Sequence, residues 1–256
     1  MKKWIYAFYA LMAVLVSAVA YDRFVVGTGG SHDPVPLQAA NVDMTDKESL
    51  QRGAKVFRDY CLSCHGLSSV RYNQLVKIGI SEDDIKRQMV TNNGKAGDLM
   101  QVASRREDAA KWFGVPPPDL SLVASARNPD WIYTYLISFY RDDERPTGWN
   151  NALFPNVGMP HALWTEEGVK VPKFVEKEEH GEKVKVIEGY DMQRAGLLEK
   201  PEDYQRMAHD VTNFLAWASE PDQLSRKYIG FGVLAFLLIL FFLARQLSKN
   251  YWKDIH

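Results

Sequence analysis

The chain has 256 residues, of which 46% are hydrophobic and 25% charged, and this length allows one domain or two small ones. The balance excludes a wholly disordered chain, a collagen-like repeat and a polytopic membrane protein. With 31 basic and 32 acidic side chains the net charge is −1, which gives no sign of nucleic-acid binding. The two cysteines, Cys61 and Cys64, are too few for a disulfide scaffold or a four-cysteine zinc site.

The N-terminus has the pattern of an export signal. Lys2 and Lys3 precede an uncharged run that ends in the small residues Ser-Ala-Val-Ala. This pattern predicts a secretory leader over residues 1–20, with an uncleaved membrane anchor as the alternative. Residues 21–43 are rich in glycine, proline and small side chains, so we expect an irregular arm there.

A second apolar run, near the C-terminus, predicts a membrane anchor. Residues 228–244 carry no charge, and a helix of this length spans about 25 Å. A buried core helix is the alternative, but cations flank the run on both sides. Because three cations follow it, we expect an anchor over 223–246 and a cytoplasmic tail over 247–256.

The exported body, residues 44–222, is dominated by helical periodicity. Thr45 and Glu48 have the spacing of a capping box, and the helix that they begin leads into the two cysteines. Residues 141–164 show no period, whereas alternation of apolar and charged residues over 169–190 predicts an exposed β-hairpin. Together these patterns indicate a mostly α fold. The other apolar patterns predict helices over 81–90, 97–112, 120–126, 130–140 and 201–220.

Residues 61–65 read CLSCH and carry the chemistry of the chain. In a C-x-x-C-H sequence the two thiols can add to the two vinyl groups of one haem, and the adjacent histidine becomes an axial iron ligand. A thioredoxin-like motif needs a βαβ context, and a zinc site needs a second ligand pair. A disulfide between Cys61 and Cys64 would not need His65. Haem attachment is the interpretation that uses all three side chains.

A haem of this type needs a sixth iron ligand or an open site. A methionine ligand raises the potential, a histidine ligand gives a lower one, and an open site suits gas chemistry. Met159 lies in an irregular segment between Gly158 and Pro160, which predict close backbone approach on one side and a fixed turn on the other. From the pattern alone the choice stays open. The other exported candidates are Met44, Met89, Met100, Met192, Met207, His32, His161 and His209.

Four segments together resemble the cytochrome c1 family, the membrane-anchored c-type subunits of the cytochrome bc1 complex. They read CLSCHGLSSVRYNQL, PPPDLSLVASAR, FPNVGMP and MAHDVTNFLAWASEPDQLSRKYIG, in family order from about residue 45 to the C-terminus. C-x-x-C-H alone indicates only the cofactor, whereas the Pro-Asp-Leu-Ser and Trp-Ala-Ser-Glu-Pro segments are much more specific. The resemblance implies a class I cytochrome c-like haem domain with insertions, followed by one transmembrane helix.

The resemblance also implies the cofactor and its ligands. One haem c is attached covalently through Cys61 and Cys64. His65 corresponds to the proximal iron ligand of the family, and Met159 to its distal ligand. Because six ligands leave no position for a substrate, the resemblance implies no catalytic residue, and the subunit carries out no bond chemistry alone.

Two further site residues follow from the resemblance. Arg127 matches an arginine that the family places near a haem propionate, although the pattern alone favours a solvated cation at a helix end. Pro118 belongs to a segment that resembles the lining of the family's haem pocket. The hairpin over 169–190 resembles the family only weakly.

The partners implied by the resemblance are those of quinol–cytochrome c oxidoreductase. The chain would accept electrons from the Rieske iron–sulfur protein and pass them to a c-type cytochrome, with its final helix beside cytochrome b. The complex would be dimeric and lie in a bacterial inner membrane, with the haem domain in the periplasm. Two alternatives stay open: a free-standing tethered monohaem cytochrome c serving an oxidase or peroxidase, and a non-haem thiol protein of the periplasm.

Overall fold

The structure is a computed structural model, and it describes residues 34–91, 93–102, 105–179 and 182–253. The chain divides into two compact units, Met1–Pro36 and Leu37–His256, and the second holds every helix and strand given below. The predicted leader over 1–20 and most of the predicted arm lie outside the described residues. Residues 34–43 contain neither helix nor strand, as expected for the end of the arm.

Helices dominate the described chain, which confirms the mostly α prediction. They are α1 (Lys47–Val56), α2 (Glu82–Asp84), α3 (Arg106–Phe113), α4 (Val123–Arg127), α5 (Pro129–Ile137), α6 (Trp164–Glu167), α7 (Pro201–Ser219) and α8 (Gln223–Tyr251). Wider π-type turns extend α1 over Phe57–Cys61 and α2 over Ile85–Met89, and a 3₁₀ helix covers Tyr72–Ile78. Three antiparallel strand pairs complete this part of the fold: β1 (Leu67–Arg71) with β2 (Leu99–Met100), β3 (Phe139–Arg141) with β4 (Trp149–Asn151), and β5 (Gly168–Glu179) with β6 (Glu182–Ala195).

The helix that leads to the cysteines begins one residue later than the capping-box prediction. The Asp46 carboxylate accepts a hydrogen bond from the Ser49 N–H at 3.0 Å and caps α1. Thr45 instead donates its hydroxyl to Asp43 at 2.6 Å. A carboxylate accepts from the free N–H groups of the first helical turn, and its negative charge is stabilised by the positive end of the helix dipole. Asp46 is therefore a better cap than Thr45.

The prediction of one helix over 97–112 is wrong in its first half. Leu99 and Met100 form β2, which pairs with β1, and α3 begins only at Arg106. The Asp98 carboxylate accepts from the Lys95 N–H at 2.7 Å, which closes a turn just before β2. Met100 is fully buried, so a short strand brings this apolar side chain into the core.

The chain turns sharply between α4 and α5. Asn128 has φ of +78°, and its side chain accepts from the Asp130 N–H at 2.9 Å, so it caps α5. The predicted helix over 130–140 ends early, because residues 139–141 pair with β4 instead. The segment predicted to be irregular therefore contains a short hairpin.

The long hairpin of β5 and β6 confirms the predicted hairpin over 169–190 and extends it at both ends. Its turn, residues 180–181, lies outside the described residues. The expectation of an exposed hairpin holds at Phe174, which is 53% exposed, but is wrong at Lys170, which is only 8% exposed. The root of the hairpin packs against the helical body: β5 contacts β3 and α6.

Helices α1 and α7 cross in close contact at the centre of the core. A Cβ atom built on Gly53 would lie 1.9 Å from the Asp210 carbonyl oxygen, so only glycine fits at this crossing. Beside it, the Arg52 guanidinium binds both oxygens of the buried Asp210 carboxylate, at 2.6 and 3.0 Å. Phe57 and Phe214 pack tilted against each other, with ring centroids 5.7 Å apart.

The last helix, α8, has a different character from the core helices. Its most apolar window has a mean hydropathy of 2.3 and is 0% buried. A core helix would bury this surface, so the alternative of a buried core helix does not hold here. By length and composition α8 can cross a membrane, and it contains the predicted span over 228–244.

Candidate cofactor site

The C-x-x-C-H residues lie where the extension of α1 ends. The N–H groups of Cys64 and His65 both donate to the Cys61 carbonyl oxygen, at 3.0 and 2.7 Å, so the motif occupies one tight turn. Both cysteines are free thiols and do not form the disulfide that the pattern also allowed. Burial raises the pKa of the Cys61 thiol to about 12, so this thiol is protonated at neutral pH.

The imidazole of His65 is buried and held by one backbone group. Its Nδ1 lies 2.7 Å from the Pro118 carbonyl oxygen. Because a carbonyl oxygen only accepts, Nδ1 carries the proton and the lone pair is on Nε2, the arrangement that metal-binding histidines use. Burial lowers the pKa of His65, against the hydrogen bond to Pro118 and the charge of Asp119, which favours the neutral, metal-binding form.

The segment around Pro118 is fastened to the chain that follows the motif. The Leu120 N–H donates to the Gly66 carbonyl oxygen at 2.9 Å, and the Asp119 carboxylate accepts from the Ser68 N–H at 2.8 Å. The Ser121 hydroxyl accepts a hydrogen bond from the Ser69 N–H at 3.1 Å. These contacts fix the position of the Pro118 carbonyl, and through it the orientation of His65.

Met159 is half-buried in the loop between β4 and α6. The Tyr135 hydroxyl of α5 donates a hydrogen bond to its sulfur at 3.4 Å. Tyr135 stacks on Trp131 at 5.1 Å and meets the edge of Phe139 at 5.0 Å, so an aromatic cluster surrounds the thioether's partner. A Cβ on Gly158 would meet no atom of the described residues within 4 Å, so the close backbone approach expected at this glycine is not found in that part of the chain.

Arg127 ends α4 with its side chain exposed. Its guanidinium lies 5.1 Å from the centroid of the Trp131 ring, a cation–π contact. Trp131 in turn stacks on Tyr135, the hydrogen-bond partner of Met159. Arg127 is thus a cation placed on the aromatic cluster beside the candidate ligand.

The other candidate ligands have different roles or positions. Met89 and Met100 are 1% and 0% exposed within the core, whereas Met192 is 54% exposed on the hairpin. The buried His161 makes a hydrogen bond through Nε2 to Glu167 at 2.7 Å. His209 is half-exposed, with its Nδ1 3.7 Å from a carboxylate oxygen of its neighbour Asp210, and His32 lies outside the described residues. Met44 packs against the core, and Met207 is half-buried.

The donor set fits a covalently attached haem. It offers two free thiols, an imidazole whose Nδ1 is engaged, and a thioether whose single hydrogen bond leaves it able to bind a metal. Cys61, Leu120 and Trp131 all pack against one hydrophobic core, which joins the motif to the elements around it. Within the described residues, no group of three or more His, Cys, Asp or Glu side chains could hold a metal ion alone.

Two side-chain contacts near the candidate site were not found from the sequence. The predicted helix over 130–140 contains Tyr135, but its pattern gave no sign of the hydroxyl bond to Met159. The alternation of β5 predicted an exposed Lys170, whereas its ammonium group binds the Glu167 carboxylate inside the fold. The Tyr135 bond to Met159 joins residues 24 apart in the chain, and the Lys170 bond to Glu167 joins a helix to the strand that follows it, so neither leaves a periodic signal.

Comparison with protein families matches residues 38–255 to the Cytochrome C1 family. The chain is 46% identical to the cytochrome c1 of Allochromatium vinosum, over 100% of both chains. It is 41% identical to a Nitrosomonas europaea protein named ammonia monooxygenase gamma subunit, over 96% of this chain and 99% of that one. It is 31% identical to the cytochrome c1 of Rhodospirillum rubrum, over 82% of this chain and 83% of that one.

The C-x-x-C-H turn, the oriented imidazole and the apolar C-terminal helix together define a membrane-anchored c-type haem protein. The family match covers both the motif and most of α8. This chain belongs to the Cytochrome C1 family. It therefore binds haem c and serves electron transport as a redox subunit of the cytochrome bc1 complex.

Proposed function

We propose that this subunit accepts electrons from the Rieske iron–sulfur protein and passes them to a c-type cytochrome. The observation that carries the proposal is the family match over 38–255, which spans the haem motif, the Met159 loop and the anchor in one chain. The cytochrome bc1 complex oxidises quinol and reduces cytochrome c. A haem subunit on its outer side would therefore lie between the Rieske iron–sulfur protein and cytochrome c. The outcome for this subunit is electron transfer without bond chemistry.

Four residues hold the cofactor in this proposal. The thiols of Cys61 and Cys64 would hold the haem through thioether links to its two vinyl groups, an addition that would release no atom. His65, through Nε2, and Met159, through its sulfur, would be the iron ligands. When bound, haem supplies a one-electron change at iron between the ferrous and ferric states.

Two further residues tune the site. The Pro118 carbonyl holds the proton of His65 on Nδ1, and this hydrogen bond makes the imidazole a stronger donor. Arg127 places a positive charge on the aromatic cluster that contains Tyr135, where it can balance a propionate. Axial-ligand identity, hydrogen bonding and burial are the means by which a protein sets a haem potential.

The same proposal assigns the parts of the chain to the membrane. Residues 1–20 are the leader, 21–43 the arm and 44–222 the periplasmic haem domain. The anchor over 223–246 lies beside cytochrome b, and the tail over 247–256 is cytoplasmic. Three cations after the apolar run support this orientation, because positive charge is retained on the cytoplasmic side. The complex is a dimer in a bacterial inner membrane.

The substitution Met159→Leu tests the ligand assignment. Haem attachment depends on the cysteines, so we expect the variant to keep covalent haem. Loss of the thioether ligand lowers the midpoint potential and stops turnover, because methionine ligation raises the potential. A redox titration of the purified complex measures this shift, with Met192→Leu, a change at an exposed methionine, as the matched control. An unchanged midpoint in Met159→Leu would contradict the assignment.

A further inference from the structure

Lys170, at the root of β5, is a buried cation with two fixed partners. It is 8% exposed, and its ammonium group donates to the Ile137 carbonyl oxygen at 2.8 Å and to the Glu167 carboxylate. The ring of Tyr190 lies 5.0 Å from the same nitrogen. Burial of an ammonium group costs free energy unless its partners are well placed, so this arrangement is specific rather than incidental.

The Glu167 carboxylate links Lys170 to the chain beside Met159. Its second oxygen accepts from His161 Nε2 at 2.7 Å, and the side chains of Glu167 and His161 are 10% and 2% exposed. The His161 ring lies flat on Phe139, with centroids 4.9 Å apart and 5° between the planes. Because His161 is two residues after Met159, these contacts fix the chain on the C-terminal side of Met159.

The second partner of Lys170 leads to Met159 from the other side. Ile137 is the last residue of α5, and the same helix carries Tyr135, whose hydroxyl donates to the Met159 sulfur at 3.4 Å. Lys170 therefore contacts the end of α5 directly and reaches the segment after Met159 through Glu167. One ammonium group joins the two elements that flank the thioether.

We propose that Lys170 is a positioning residue for Met159. Lys170 holds the end of α5 and the segment after Met159 in the arrangement that iron ligation by Met159 needs. This inference rests on the proposed role of Met159 as the distal ligand. It also gives the hairpin a role, since the root of this insertion braces the ligand loop while its outer part remains exposed at Phe174.

The substitution Lys170→Met tests the proposal, because it keeps a long apolar stem and removes the charge. Ferrous haem binds carbon monoxide only when the distal ligand has left, so the binding rate reports the open fraction. We expect this rate in the purified full-length complex to rise on the order of tenfold, the effect of one lost charge-assisted hydrogen bond, and the midpoint potential to fall. Covalent haem content, measured in the same samples, should stay unchanged.

Lys173→Met is the matched control. Lys173 lies on the same strand but is exposed, and its bond to Asp191 at 2.7 Å is a surface ion pair of little free energy. Its carbon monoxide rate and midpoint should equal those of the unsubstituted complex. If Lys170→Met does not accumulate, Glu167→Gln, which keeps the size of the side chain and removes its charge, carries the same test and the same expectation.

Two results separate this inference from the proposed function. If Lys170→Met and Glu167→Gln retain the original binding rate and midpoint while Met159→Leu opens the iron, the positioning role is wrong and the ligand assignment stands. If Met159→Leu itself changes neither quantity, the ligand assignment fails whatever Lys170 shows.

Discussion

At the residue scale, the Pro118 carbonyl oxygen decides which nitrogen of His65 can bind iron. It accepts the Nδ1 proton at 2.7 Å and leaves the lone pair on Nε2. The ring of Pro118 fixes its φ at about −65°. The carboxylate of the next residue, Asp119, accepts a hydrogen bond from the Ser68 N–H, so the Pro118 carbonyl has little freedom to move. The orientation of His65, the proposed proximal ligand, therefore comes from backbone geometry rather than from another side chain.

We expect the substitution Tyr135→Phe to lower the midpoint potential of the haem. The Tyr135 hydroxyl donates to the Met159 sulfur at 3.4 Å and withdraws electron density from it. Without this hydrogen bond the sulfur is a better donor to ferric iron, so the oxidised state gains stability and the potential falls. A redox titration measures the change.

The control is Tyr133→Phe, which removes a hydroxyl from the same helix at a position that is not bonded to Met159. Its midpoint should match that of the unsubstituted protein. Equal midpoints for both tyrosine variants would show that the hydroxyl bond to Met159 has no influence on the iron.

The sequence predicted site residues where one short motif contains the chemistry. The C-x-x-C-H spacing is sufficient to propose Cys61, Cys64 and His65, because thiols and imidazole are adjacent in the chain. Met159 needed the resemblance to the family, since its loop has no periodic pattern. Lys170 was predicted to be exposed, because alternation along a strand gives the face of a side chain but not which face is covered.

At the element scale, the crossing of α1 and α7 holds the motif against the core. The Gly53 position allows the two backbones to approach, and Arg52 binds the buried Asp210 carboxylate in a bidentate manner beside it. Asp210 is 3% exposed, so loss of its partner would leave a charge in the core. The extension of α1 then carries Cys61 from this fixed crossing.

The substitution Gly53→Ala should destabilise the domain. A Cβ at this position would lie 1.9 Å from the Asp210 carbonyl oxygen and 2.8 Å from the Phe214 Cβ, so the helices must separate. Overpacking of this kind costs about 1–3 kcal/mol, or several degrees in thermal midpoint. Circular dichroism on heating measures the midpoint.

Gly97→Ala is the control for that substitution, because a Cβ there would meet nothing within 4 Å among the residues that the structure describes, and the Gly97 φ is not positive. Its midpoint should stay close to that of the unsubstituted protein. A Gly53→Ala midpoint equal to this control would mean that the two helices tolerate a wider separation.

Elements with a strong period were predicted well. The helix predicted to begin near Thr45 and the helix predicted over 201–220 are both present, as α1 and α7, and they bury Leu50, Ala54 and Phe214 in the core. The segment over 97–112 was misread as one helix, because the tertiary pairing of β2 with β1 overrides local helix preference. The pairing of β3 with β4 escaped prediction for the same reason.

At the scale of the whole molecule, the chain combines a cofactor domain with an apolar helix that its own fold leaves exposed. The core helices bury their apolar faces, whereas the apolar window of α8 is 0% buried. This surface requires a membrane or a neighbouring subunit, which agrees with membership of the Cytochrome C1 family. The haem site and its anchor therefore belong to one larger complex.

As a member of the Cytochrome C1 family, this chain carries haem c inside the cytochrome bc1 complex. The most direct measurement is a reduced-minus-oxidised optical spectrum of the tagged chain, extracted from membranes in mild detergent and purified. We predict difference bands of both b-type and c-type haem. We also predict that the c-type haem becomes reduced when quinol is added. A c-type band alone would contradict membership of the complex and indicate a free-standing tethered cytochrome. The absence of any haem band, in cells that mature c-type cytochromes, would contradict the role of Cys61, Cys64 and His65.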